Sequence, residues 1–252
     1  MRVVRRVLDG GTASFLFAVL LGGLLANAAS AAPPAGEPVL KVGSIRPVPP
    51  DFAGSASELE PLAVGWRWTR RIVGSNTAIR TTIEAGEPSE LSGRSEVARI
   101  WHQRVELIAP GEPVRGGVVI LVARQKSSSV VALGQLADGR ENQKGEVWDP
   151  PRLLLPASVH AGTAWSSAGA RHRVAGVADV RVGKRRYPMC VVIEEFGASG
   201  TASARRYLAR GVGEVVTERR VEGTTAWRAA TVLEQWAKPG SDAPPESRKV
   251  RP

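Results

Sequence analysis

Cysteine is all but missing from this chain. Cys190 is the only one in 252 residues, so no internal disulfide can form and stability must come from a buried core. Histidine is scarce too, with His102, His160 and His172 widely spaced. A zinc site draws three or four ligands, commonly paired at short spacing, and no Cys or His pair supplies that pattern. His102 and Glu106 stand four apart in a segment with strand periodicity, which separates them by ~13 Å along the strand, too far to share one ion. No Gly-x-Ser-x-Gly elbow and no Ser-x-x-Lys pair occurs. No cofactor, metal centre or catalytic residue is therefore expected. Lysine is also rare, six against 28 arginines, and Tyr and Phe together number fewer than the seven tryptophans.

Long apolar runs are missing except at the start. Arg2, Arg5 and Arg6 precede an apolar run from Ala13 to Ala26, and Ala29-Ser30-Ala31 fits the small-x-small rule for cleavage. This order predicts a signal peptide over 1–31 and a secreted product, periplasmic or extracellular. The run is about 14 residues, short for ~30 Å of hydrocarbon, and no later stretch is long enough to span a membrane. Cleavage removes three Arg and one Asp, taking the net charge from +10 to +8. Export makes nucleic acid a poor partner, and no nucleic-acid motif is present.

What is there is a pattern of period two. Residues 32–61 are rich in Pro, Ala, Gly and Ser and read as linker-like, with a short helix near Ser57 to Leu62. Residues 238–252 read as a disordered tail. Between them, 62–237 read as a β domain. Val64, Trp66, Trp68 and Ile72 share one face of a strand, interrupted by Arg70. Val97, Trp101, Val105 and Leu107 share a face opposite His102, Arg104 and Glu106. Gly117 to Ala123 is apolar on both faces and reads as a central strand, with Val130 to Leu136 as its hairpin partner. In the second half, His172 to Val182, Tyr187 to Phe196, Ala202 to Arg210, Gly213 to Val221 and Thr225 to Trp236 alternate in the same way. The fold class is mostly β, with few short helices. An antiparallel meander, curled into a half-barrel, barrel or sandwich, fits this spacing.

Leu153 to Arg219 carries a sequence of features with a resemblance. Gly162-Thr163-Ala164-Trp165 is followed by the strand Val174 to Val180. Then come Tyr187-Pro188-Met189-Cys190-Val191-Val192 and Tyr207-Leu208-Ala209-Arg210-Gly211-Val212-Gly213-Glu214-Val215-Val216. This order is similar to families of exported, β-rich bacterial proteins of unknown function, with a Gly-x-x-Trp and a Tyr-x-x-x-Gly-Val-Gly-x-Val element. Asp179 stands one place on from the acidic position of that pattern, and Glu214 replaces an apolar residue. The resemblance implies a compartment and a fold and transfers no active site. Independently of it, Gly211 and Gly213 suit a bulge or corner, with Tyr207 placed to cover the bend.

Candidate functional residues are few. Trp66 and Trp68 project to one apolar face, and together with Trp101 they are candidate ligand-lining residues. Cys190 sits in an apolar strand, where a thiol is inert. Glu194 and Glu195 point to opposite faces and cannot act as a catalytic pair. The Arg pairs Arg70-Arg71, Arg205-Arg206 and Arg219-Arg220, with Lys184-Arg185-Arg186, are spread along the chain. Three functions follow: a non-catalytic cell-envelope protein holding a lipid-like or other hydrophobic ligand, an interaction module for a protein or an anionic envelope polymer, or a hydrolase without a recognisable motif.

Overall fold

The computed structural model describes residues 39–52, 54–86, 95–111, 115–137, 145–197 and 199–240. The signal peptide read over 1–31 and the tail beyond 240 lie outside these residues. In chain order the elements are β1 (Leu40–Val42), β2 (Gly54–Ser55), α1 (Ala56–Leu59), β3 (Arg67–Ile72), β4 (Ala78–Ala85), β5 (Val97–Ile108), β6 (Arg115–Gln125) and β7 (Val130–Ala137). They continue with β8 (Glu146–Leu155), β9 (Ser158–Val159), β10 (Ala164–Ser167), β11 (Ala170–Val182), β12 (Arg185–Phe196), β13 (Ala202–Ala209), β14 (Gly213–Arg220) and β15 (Trp227–Ala237).

Thirteen strands form one antiparallel sheet in the order β1-β11-β12-β13-β14-β15-β3-β4-β5-β6-β7-β8, with β10 added to β11 beside β1. Two meanders, β3 to β8 and β11 to β15, are joined where β15 pairs with β3, from Thr231↔Ile72 to Ala237↔Arg67. The sheet curls without closing into a barrel. Trp101, Val122, Val130 and Leu155 from one meander share a single core with Val174, Val191, Leu208 and Leu233 from the other, and β10 lies against β8. A curl of this kind gives the sheet an inner and an outer face, and strand alternation assigns each side chain to one of them.

Register fixes that assignment. Trp68, Arg70 and Ile72 lie on the inner face beside Ile79, Thr81 and Ile83 of β4 and Trp101, Gln103, Val105 and Leu107 of β5. Arg80, Glu84, His102, Arg104 and Glu106 take the outer face, where Arg104 bonds Glu84 at 2.9 Å. Val97 departs from the expected pattern. A register shift between Val97 and Arg99 moves it off the Trp101 face and into a small outer cluster with Ile100, Leu121, Ala123, Val131 and Leu133.

The segment read as linker-like is built into the fold from Leu40 onward. β1 pairs with the end of β11, and Arg46 bridges to Val177. Val48, Phe52, Ala56 and Leu59 are buried. Gly176 makes the crossing possible, because a Cβ there would stand 2.3 Å from the Arg46 carbonyl oxygen. The helix near Ser57 is a single turn over Ala56–Leu59. Ser55 caps it, its Oγ accepting from Glu58 N–H while the Glu58 carboxylate accepts from Ser55 N–H. The segment's polar and small residues hid a few anchors at irregular spacing.

Candidate functional site

The inner face carries three regions. The first is an aromatic floor. Trp66 stacks on Trp68 at 5.3 Å and on Trp236 at 5.8 Å. Trp66, Trp68 and Trp101 are only 6%, 3% and 2% exposed and belong to the buried core that Leu59 and Leu62 share, so they do not form an open wall. The Trp68 indole N–H donates to the Val212 carbonyl, which ties the floor to the Gly-Val-Gly corner. Gly211 and Gly213 take positive φ of 66° and 93° in the β13–β14 turn. A Cβ added at Gly213 would stand 3.6–3.8 Å from Pro61, the Trp68 indole nitrogen and the Leu59 carbonyl oxygen. Tyr207 does not cover this bend. Its hydroxyl donates to Glu218 Oε2 at 2.7 Å, on the sheet's other face.

The second region is a polar stripe with groups on β13, β14, β3 and β4, continued by His172 on β11. Arg206 Nε donates to Glu214 Oε2 at 2.6 Å, and Thr217 Oγ1 donates to Glu214 Oε1 at 2.8 Å. Arg70 Nε donates to the Glu214 carbonyl at 3.2 Å and lies 3.8 Å from its carboxylate, while Nη1 reaches Thr81 Oγ1 at 3.4 Å. Desolvation pushes the Glu214 carboxyl upward, but Arg206 and Arg70 outweigh it and hold the group below its ordinary range. Glu60 is the converse case. Desolvation dominates over the same two arginines, and its carboxyl is raised. At the stripe's β11 end, the His172 ring stacks on Trp165 at 5.1 Å. Burial, helped by the Arg206 charge, lowers His172 to about 4, so it is neutral at pH 7. Arg70 thus interrupts the strand's apolar face because Glu214 meets it there. That partnership spans 144 residues and left no local signal.

The third region is apolar and partly open. Val105 and Leu107 of β5 are half-buried against the buried Ile72 and Ile79. Val118 and Ile120 of β6 continue this wall, in register with Val105 and Gln103 and also half-buried. Strand alternation puts Val105 and Leu107 on the same face as Trp101, but side-chain size gives no signal of which end of that face is covered.

The other candidates are structural. Cys190 is fully buried, and desolvation pushes its thiol up to about 12. Glu194 and Glu195 do face opposite ways. Glu194 is clamped by Arg173 at 2.8 Å and Arg205 at 2.9 Å, whose bonds outweigh desolvation and lower its carboxyl. The Arg pairs divide between faces in the same way, Arg71 joining Glu234 at 2.6 Å while Arg70 turns inward. Among the described residues no group of three or more His, Cys, Asp or Glu could hold a metal ion. No helix among them is long and apolar enough to cross a membrane.

Unpartnered polar atoms complete the geometry. Among the described residues, the buried Nε1 atoms of Trp101, Trp148 and Trp165, Arg124 Nε, His172 Nδ1 and the Tyr187 hydroxyl have no hydrogen-bond partner. Four of these six are obligate donors. No family model, curated protein or solved structure matches the chain.

Proposed function

We propose that the chain is an exported, non-catalytic protein of the cell envelope or medium that binds an amphipathic, lipid-like ligand on the inner face of its curled sheet. The observation that carries this is the division of that face. A half-open apolar wall, Val105, Leu107, Val118 and Ile120, adjoins a stripe of paired charges, Arg70, Arg206 and Glu214. Apolar residues left half-exposed inside a concavity favour an apolar occupant, and each fully covered Val or Leu contributes roughly 1.5–3 kcal/mol. The inner carboxylate Glu214 is engaged as an ion-pair partner and held ionised, which suits a scaffold better than acid–base chemistry. Export rests on the basic, apolar and small-residue order of 1–31, and the likeness to exported β-rich bacterial families is consistent with it.

The test is native mass spectrometry of the full chain purified from a bacterial host, paired with organic extraction. A bound species of lipid mass, displaced in Val105→Glu and Leu107→Glu variants, is the expected result. Protein that is always free of lipid, and that takes up none from added short-chain phospholipid or fatty acid, would remove the proposal. Cell fractionation and N-terminal sequencing test export. The expected mature chain starts at Ala32, and retention of an intact Met1 start in the cytoplasm would contradict it.

A further inference from the structure

Arg99 and Arg124 stand directly opposite one another on β5 and β6. Both guanidinium groups sit over the ring of Trp101, at 5.3 Å and 5.5 Å from its centroid. Like charges directly across a strand pair repel. Arg181 with Arg186 and Arg219 with Arg228 are likewise opposed; the Arg99–Arg124 pair differs in that both of its guanidinium groups lie over one buried indole ring. Among the described residues neither Arg99 nor Arg124 has a carboxylate partner. The Trp101 side chain is 2% exposed, yet its Nε1–H has no acceptor, and neither has the buried Nε–H of Arg124. Two cations therefore lie over one buried ring, and both the ring's own N–H and the Nε–H of one of those cations are unmet. The Trp101 face attracts the cations, at roughly 0.5–1 kcal/mol where exposed, but it neither neutralises them nor accepts the N–H bonds.

Among the described residues, what this cluster lacks is an acceptor with negative charge. We propose that Arg99, Arg124 and Trp101 form an oxyanion-binding site, for a carboxylate or phosphate, and that it takes the head group of the amphipathic ligand. The assignment to a head group rests on the function proposed above; the anion site itself does not. The geometry of β5 and β6 links the two. Below the arginines the inner face continues through Gln103 beside Ile120 and Val105 beside Val118 to Leu107. From Trp101 to Leu107 is about 20 Å along the strand at ~3.4 Å per residue, the reach of one extended alkyl chain. A guanidinium donates in a planar fork that matches carboxylate and phosphate oxygens, so arginine suits this site where lysine would supply only a point charge.

The test uses the full chain, Trp fluorescence and calorimetry with three probes: a 16-carbon fatty acid, the corresponding alcohol and inorganic phosphate. The fatty acid is expected to bind roughly tenfold or more tightly than the alcohol, the size of one charge-assisted hydrogen bond. In Arg99→Gln and Arg124→Gln the preference should vanish while alcohol binding persists, and without ligand each variant should melt at or above the wild-type temperature. Equal binding of acid and alcohol would overturn the head-group assignment and leave the lipid function standing. Phosphate binding that is lost in both variants, with neither amphiphile bound, would support the anion site and remove the lipid function. No binding of any probe would end both.

Discussion

Arg206 on β13 reaches diagonally to Glu214 on β14 at 2.6 Å, and Arg70 of β3 closes on the same carboxylate from the other meander. The two halves of the sheet thus share one anion on the inner face. Glu214→Ala leaves two arginine cations in partly buried positions without it. Removing one partner of a buried pair costs about 3–5 kcal/mol, so a loss near the lower figure is expected for these 13–25% exposed groups, read by urea denaturation. Glu214→Gln keeps the shape and one acceptor and should lose less. A loss below the error of the fit for Glu214→Ala would show that the stripe does not join the halves.

His172 makes stability fall in mild acid. Its folded value is about 4 against 6.5 in the unfolded chain, so between those values the unfolded state binds more protons. The contribution is complete above pH 6.5 and is lost as pH falls through 4. After allowance for its partial exposure, about 2 kcal/mol should disappear over that window, from a full span set by 1.36 kcal/mol per unit. His172→Phe keeps the stacking on Trp165 and should flatten the pH 4–6.5 slope. An unchanged slope would exclude His172 as its source. As pH falls below 4.5, Glu214 and Glu194, whose folded values are depressed, add further acid loss.

Cys190 should be silent in the folded protein. Burial holds its thiol near 12, so the thiolate is negligible at pH 8. Modification by iodoacetamide should track global unfolding and be complete in denaturant within minutes. Rapid stoichiometric alkylation without denaturant would contradict the burial.

Asp179 fastens the N-terminal arm. It accepts from Arg46 at 3.1 Å, Arg186 at 3.0 Å and the Met189 backbone N–H at 3.0 Å, where Met189 holds a positive φ of 53°. The hydrogen bonds, led by that of Met189 N–H, keep its carboxyl below the ordinary range. Asp179→Ala should raise hydrogen exchange across 40–48 and in the β11–β12 turn while the β3–β5 strands stay protected. Exchange across 40–48 that is the same in Asp179→Ala and wild type would show that the arm is held without it.

The alternation of Val174 to Phe196 and of Trp66 to Ile83 was legible because one face is apolar and the other charged. β8 was not. Pro150 and Pro151 interrupt it, and prolines are tolerated there because β8 is an edge strand with a break in its pairing between Gly134↔Val147 and Ala132↔Arg152. β1 and β10 are three and four residues long, too short for a period to show. The polar stripe was invisible for a different reason. Arg70, Arg206 and Glu214 each look like a fault in an apolar face, and only the β15–β3 and β13–β14 pairings bring those faults together.

The most direct measurement is titration of the lipid-free full chain with the 16-carbon fatty acid, followed by native mass spectrometry and Trp fluorescence. Stoichiometric uptake of one molecule, weakened at least tenfold by Leu107→Glu on the apolar wall, is the expected result, the scale of exposing one buried apolar contact to charge. A chain that binds no amphiphile, or binds it equally well with Glu at position 107, would contradict the assignment of the inner face as a ligand site.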